Sequence, residues 1–474
     1  MGLESSRISN KRVKRVDLGL LLAYLILIFV GWVNIYSAVY SEEHTFIFDF
    51  TQRYGMQFVW ICISLIVAVA ILYIINPAVY TTLSPLFYII MLLLLFAVIF
   101  LGKEVNGSKS WFFIGSFAFQ PAEFSKITTS ILLATVMGKY GFSLSNKKDA
   151  LRAALIVIIP ILLIIMEKET GSALVYLGLI LVFYLMGLSG WVLVLGFSVI
   201  ALFILTILYS PLISLIALLT SILIAKWLSD QKLTFTIVSF ALLVVAVLIN
   251  KYQLVTIGEK ELLLLFSPLL ILWLRSLILR KLPKESKWIF LSALCGIFVI
   301  FSVNFVFNNV LQPHQRARIE NLLGITKDLQ GIGYNVHQSK IAIGSGGLWG
   351  KGFLNGTQTK YNFVPEQSTD FIFCTIGEEW GFVGSIFILT IYIFLIIKIL
   401  NLAHKNSDNF TKIYGYCVAS IFLMHVAINI GMTMGIVPVI GIPLPFLSYG
   451  GSGMLSFTIL LFIFIRLDMN RSSR

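Results

Sequence analysis

Charge is the scarcest commodity in this chain of 474 residues: only 12% are Asp, Glu, Lys or Arg, against about 25% in a soluble domain. That deficit excludes an ordinary cytosolic enzyme. Disorder is excluded too, because 58% of the residues are hydrophobic and a disordered chain lacks such residues. Cysteine is scarce too, at four residues. Cys62, Cys295, Cys374 and Cys417 all fall in apolar stretches with no metal-ligand spacing, so they read as buried, inert thiols rather than a disulfide framework or a zinc site. No GxxxxGK[ST] run is present, so no nucleotide is implied. There is no fixed-period repeat, no low-complexity tract and no signal peptide with a short apolar core and a cleavage site. The formal charge of +13 does not point to nucleic acid, because the cations cluster in short runs between apolar stretches, as in cytoplasmic loops of membrane proteins.

What is present is a series of apolar stretches of bilayer length, about 20 residues each. They fall near 17–39, 55–75, 80–102, 120–138, 148–166 and 171–189, then 191–208, 211–228, 233–250, 260–280 and 288–309, then 372–400, 412–433 and 452–467. The expected fold is an all-α polytopic membrane protein of about 14 spans in one integral membrane domain, residues 1–474. Arg7, Lys11, Arg12, Lys14 and Arg15 place the N-terminus in the cytoplasm by the positive-inside bias. Alternation then puts Lys139, Lys147, Lys148 and Arg152 inside, with Lys226, Lys232, Arg280, Lys281, Lys284, Lys287, Lys398, Lys405, Lys412 and the tail of Arg466, Arg471 and Arg474. The loop 103–119 and the long segment 310–371 therefore face outward, and long loops of this kind usually carry function. The stretch 191–309 has few polar residues and reads as packing or lipid-facing helices.

Three outward segments hold the polar chemistry. Past Gln312, His314, Gln315, Arg316 and Arg318 comes QSKIAIGSGGLWGKGFLNGTQ (338–358). Its glycines allow close backbone approach, and its N–H groups with Lys340 and Lys351 suit an anion-binding concavity; a flexible loop lying on the membrane fits equally. Next, VPEQSTDFIFCTIGEEWGFVG (364–384) sets Asp370 where water gives way to apolar residues. Partial desolvation there raises a carboxyl's pKa toward that of a general base, although Asp370 can also simply cap the following helix. Glu378 and Glu379 lie further in, where Glu378 can pair with a buried lysine.

In GSKSWFFIGSFAFQPAEFSK (107–126), Pro121 suits a first helical turn. Glu123 and Lys126 share a helix face at i, i+3, either as functional groups or as a packing pair. Trp111 fits an interfacial anchor or a sugar platform. Finally, PVIGIPLPFLSYGGSG (438–453) has too many prolines and glycines for a continuous helix. Broken backbone at membrane depth is tolerated only inside protein or along a cavity. His425, in mid-span, reads as a packing residue.

Taken together these segments resemble the SEDS family, whose members include RodA, FtsW and SpoVE. The matching elements are Trp111 with FQPAEFSK (119–126), QSKIAIGSGG (338–347), PEQSTDFIF (365–373), GEEWGFVG (377–384) and PLPFLSYGGS (443–452), in family order. GKGFLNGTQ, and PVIGIPLP without a lysine at Ile440, lean toward the RodA branch. The resemblance implies a peptidoglycan glycosyltransferase. Such an enzyme polymerises lipid II outside the cytoplasmic membrane, with release of polyprenyl pyrophosphate, during cell elongation. It implies Asp370 as catalytic residue, with Trp111, Lys109, Glu123, Lys126, Glu366 and Ser448 in substrate binding. Arg316, Arg318, Lys340 and Lys351 are then the cations for the pyrophosphate.

A divalent cation, Mg²⁺, is implied as well, although no ligand cluster is visible. The implied partners are a class B penicillin-binding protein and other elongation membrane proteins. Alternatives are a lipid II flippase, since broken segments and buried charges also occur in transporters, a non-catalytic scaffold, and an FtsW-like division role. The chain departs from the family at Ser368 (usually histidine), Lys109 (usually arginine) and Glu169 (usually aspartate). Fourteen spans also exceed the usual ten, which implies about four helices inserted within 191–309.

Overall fold

The computed structural model describes residues 16–41, 44, 46–105, 107–115, 117–230, 284–311, 316, 319–320, 333–361 and 363–469. They divide into two compact units, one made of Met1–Leu188 with Gly333–Arg474 and the other of Ser189–Ile332.

The first unit opens with α1 (Leu18–Val39), capped by the Asp17 carboxylate on Leu20 N at 3.1 Å, then α2 (Arg53–Tyr73), a short α3 (Ala78–Thr82) and α4 (Ser84–Leu101). The loop after α4 is an antiparallel sheet of β1 (Lys103–Val105), β2 (Ser108–Ile114) and β3 (Phe117–Phe119). Its pairs include Lys103 with Trp111 and Phe112 with Phe119. α5 (Pro121–Met137) starts on the expected proline and is followed by α6 (Lys147–Met166). The expected span at 171–189 is split into α7 (Thr170–Tyr176) and α8 (Leu179–Leu185). In the second unit α9 (Trp191–Leu208), α10 (Pro211–Asp230) and α11 (Lys284–Phe305) pack on one another.

Back in the first unit, the segment before residue 372 has structure of its own, with α12 (Tyr334–Ser345) and α13 (Thr357–Lys360). α14 (Ile372–Glu379), α15 (Gly381–Lys405), α16 (Asn409–Thr433) and α17 (Gly451–Asp468) complete the chain.

Among the described residues eight helices are long and apolar enough to cross a membrane: α1, α2, α4, α6, residues Ser292–Asn309, α15, α16 and α17. Thr170–Leu185, Val192–Leu208 and Pro211–Ile222 are apolar but shorter. The stretches expected at 233–250 and 260–280 lie outside the described residues. This is a helical, multi-pass membrane protein.

Burial sorts the helices. In α16, 83% of the apolar window is buried in protein, against 22% in α4 and α6. α16 is therefore the axis of its unit, and the outer faces of α4 and α6 are left to lipid. Between α16 and α17 the proline-rich segment crosses the interior without a helix. Gly31 of α1 makes room for it, since a Cβ there would lie 2.6 Å from Phe446 O. The thiols correct the expectation of uniform burial: Cys374 and Cys417 are buried, Cys62 is half-buried, Cys295 is exposed, and all four are free.

Candidate active site

The turn 365–371 that carries Asp370 is held by its backbone. Its last carbonyls are each taken by a donor from a distant part of the chain. Tyr449 N donates to Ser368 O at 2.8 Å, Ser448 Oγ to Thr369 O at 2.6 Å, and Asn429 Nδ2 to Asp370 O at 2.8 Å. Arg53, the first residue of α2, donates to Ser368 Oγ at 2.8 Å. Gln367 Nε2 reaches Ala38 O at 2.6 Å and Thr359 O at 2.8 Å. Glu366 sits at φ 52° and Phe446 at φ 67°, a conformation that L-residues adopt only when surroundings impose it.

The Asp370 carboxylate itself is treated differently. It is half-buried, and no described residue donates a hydrogen bond to it. Its surroundings are Gly441, where a Cβ would stand 3.3 Å from Oδ2, and the negative Glu366. Burial first, and the Glu366 charge second, push its pKa up to about 6. That value suits a group that takes a proton near neutral pH. Glu366 faces Arg53 at 3.6 Å, and both side chains are about half exposed. The Arg53 guanidinium thus stands beside Glu366, over the Tyr449 ring.

Glu123 and Lys126 form the expected pair at 2.8 Å, with both side chains almost fully buried. Ser456 Oγ donates to Glu123, and Lys126 Nζ also reaches His425 Nε2 at 2.7 Å. His425 is therefore a buried histidine with both ring nitrogens hydrogen-bonded, and part of a polar chain.

The other candidates are placed elsewhere. Lys351 is committed to Glu378 at 2.7 Å and Thr357 at 2.7 Å, and Glu378 also accepts from the backbone of Gln358 and Thr359. The glycine run does not form the anion concavity over 350–352. Gly350 N donates to Gly346 O, Lys351 N to Glu378 O and Gly352 N to Glu379 O. Those glycines serve close backbone contact: a Cβ at Gly350 would fall 2.1 Å from Glu379 O. Lys340 is exposed on α12 and lies against Gly435. Ser448 Oγ both accepts from Leu444 N at 2.8 Å and donates to Thr369 O, so it buttresses the turn. Lys109 and Trp111 stand on β2, which is pinned to Glu167 O by Lys109 N and Ser108 Oγ, each at 3.2 Å. No hydrogen bond joins either to Asp370. Arg316 belongs to the second unit and pairs with Glu320 at 2.7 Å; Arg318 lies outside the described residues.

The residues that sequence reasoning missed are Arg53, Asn429 and Gly441. Arg53 had a signal, since it opens an apolar span on the side opposite the dense basic loops. Asn429 and Gly441 had only their position in or beside the broken segment.

The profile of the cell cycle protein family of FtsW, RodA and SpoVE matches residues 18–235 and 212–473. The chain belongs to this family. It is similar to the peptidoglycan glycosyltransferase RodA of Treponema pallidum, 33% identical over 93% of this chain and 95% of that one. It is also similar to the peptidoglycan glycosyltransferase MrdB of Escherichia coli, 30% identical over 80% of this chain and 76% of that one. In fold it matches the crystal structure of the rod shape determining protein RodA of Thermus thermophilus. The TM-score there is 0.56 at 20% identity, covering 97% of this chain and 98% of that one. A chain of a peptidoglycan synthase complex matches with TM-score 0.60 at 22% identity, covering 96% and 99%. The matched ranges include every residue of the Asp370 turn and its supports Arg53, Asn429, Ser448 and Tyr449.

Proposed function

We infer that this protein is a peptidoglycan glycosyltransferase of cell elongation, polymerising lipid II, with Asp370 as general base. The observation that carries the assignment of the base is the carboxylate itself: fixed through its backbone, without a donor among the described residues, partly desolvated, and next to Glu366, which faces Arg53. The names of the T. pallidum and E. coli relatives support the activity. In the reaction the acceptor's 4-hydroxyl gives its proton to Asp370 as its oxygen attacks C1 of the donor sugar. The bond from C1 to the pyrophosphate oxygen breaks, a β-1,4 bond forms, and the polyprenyl pyrophosphate leaves with the electron pair. Arg53 is the nearby cation for that leaving charge.

Among the described residues no three His, Cys, Asp or Glu side chains gather as a metal cage. Glu366 nonetheless supplies one hard carboxylate, and Mg²⁺ takes one or two from a protein when phosphates fill its remaining positions. Glu366 is the residue that would hold it, and the ion would supply countercharge to the pyrophosphate. The basic loops support a cytoplasmic placement of both termini and an extracytoplasmic Asp370. The ten-helix family core with about four added helices within 191–309 is part of the same proposal. The fold likeness to a chain of a peptidoglycan synthase complex supports a class B penicillin-binding protein as partner.

The test is glycan synthesis from purified lipid II with Mg²⁺, by wild type and Asp370→Asn, each with the class B partner. Polymer from the wild type alone is expected. Equal polymer from both would move the base elsewhere, and lipid II translocation without polymer would establish a flippase instead.

A further inference from the structure

Two polar side chains on α16 remain outside that mechanism. His425 and Asn429 are fully buried and lie one helical turn apart on one face. Asn429 Nδ2 carries two hydrogens and directs both at backbone carbonyls: Asp370 O at 2.8 Å and Ile442 O at 2.6 Å. His425 takes the next carbonyl, with Nδ1 donating to Pro443 O at 3.2 Å, while Nε2 accepts from Lys126 Nζ at 2.7 Å. These contacts fix the imidazole tautomer with its proton on Nδ1. Lys126 continues the chain to Glu123 at 2.8 Å.

The broken segment needs such donors. Pro438, Pro443 and Pro445 cannot donate backbone hydrogen bonds, and the segment cannot close a helical ladder of its own. In a membrane interior its carbonyls must find partners in the protein. α16 supplies them at two consecutive residues, 442 and 443, and so fixes where residue 441 lies. That location matters because Gly441, at φ 74°, is the wall facing Asp370 Oδ2. One amide therefore joins the turn behind the carboxylate to the wall in front of it.

We propose that Asn429 is the positioning residue for Asp370, holding the catalytic turn and the Gly441 wall in register, and that His425 ties this register to the Glu123–Lys126 pair. The proposal rests on Asp370 being the base. The charged group facing that carboxylate is Glu366, which Arg53 faces in turn, and Asn429 adds no charge to them.

The experiment uses the full chain with its transpeptidase partner and lipid II. It compares wild type, Asn429→Ala, Asn429→Gln and Asp370→Asn, with kcat and KM measured across a pH range that spans about 6, and thermal unfolding of each. Asn429→Ala is expected to lower kcat on the order of 100-fold, as a misplacement of about 1 Å does. KM should stay close to wild type, and the acid limb of the pH profile should shift, because the carboxylate's surroundings change. Asn429→Gln, which keeps the amide, should recover part of kcat.

A folded Asn429→Ala with wild-type kcat and an unshifted limb overturns the proposal. So does a loss that only follows the folded fraction, with no shift. If Asn429→Ala does not fold, Asn429→Gln decides by the same two readouts, and unchanged values there overturn it. An active Asp370→Asn removes the base, and the proposal with it. An inactive Asp370→Asn beside an indifferent Asn429→Ala removes the positioning role alone.

Discussion

Replacing Asp370 with asparagine should abolish polymerisation and yet leave the protein at least as stable as before. The folded protein raises this carboxyl from 3.8 to about 6, so the anion is favoured less in the folded state than in the unfolded chain. A difference of that size corresponds to about 3 kcal/mol. Because the side chain is only half-buried, solvent screening brings the expected effect to about 1–2 kcal/mol. The sign follows from proton counting. Between pH 3.8 and about 6 the folded protein keeps a proton that the unfolded chain has lost, so Asp370's contribution to stability declines as pH rises through that window. Above it the deficit is constant. Asparagine has no charge to desolvate and removes the deficit. Thermal unfolding of wild type and Asp370→Asn should therefore diverge above pH 6, with the variant melting higher, and converge near pH 4. Lipid II polymerisation by the wild type should rise through about pH 6 as the base loses its proton. A variant that melts below the wild type by the same margin at both pH values would refute this reasoning and make Asp370 a structural cap.

Lys126→Met should destabilise by about 3–5 kcal/mol, because it leaves Glu123 charged and unpaired in the interior; an unchanged melting temperature would contradict the ion pair. Gly441→Ala adds a Cβ at φ 74° and 3.3 Å from Asp370 Oδ2. The backbone cost is about 1–2 kcal/mol, but turnover should fall far more than melting does, and wild-type kcat in a folded variant would sink the wall assignment. Lys351→Met leaves Glu378 with the Thr357 hydroxyl and two backbone donors but no cation, at a cost of about 1–3 kcal/mol. It should open residues 350–360 to limited proteolysis, and an unaltered cleavage pattern would count against that brace.

Local features were legible in the sequence. Hydropathy marked the long helices, Pro121 marked the start of α5, and i, i+3 spacing brought Glu123 to Lys126. Three prolines announced the broken segment. The failures share a cause. Strands of three to seven residues are too short for periodicity to register, so the 103–119 sheet read as a loop. The glycine run looked like an anion nest because spacing cannot reveal that the N–H groups of residues 350–352 already have carbonyl partners. The supports of Asp370 come from residues 315, 79 and 59 positions away, and nothing in local pattern links Arg53, Ser448 or Asn429 to one turn.

Those separations also determine when the protein becomes an enzyme. The turn around Asp370 has early partners in α1 and α2, but the donors to the carbonyls of residues 368–370 lie in α16 and in the segment before α17, made later. A chain emerging at the ribosome's pace contains Asp370 well before residues 429, 448 and 449 exist to grip its turn. Non-local contacts of this kind form late in folding. Half-made copies at the translocon therefore have an acid but no site, and cannot extend glycan strands before the last helix is inserted.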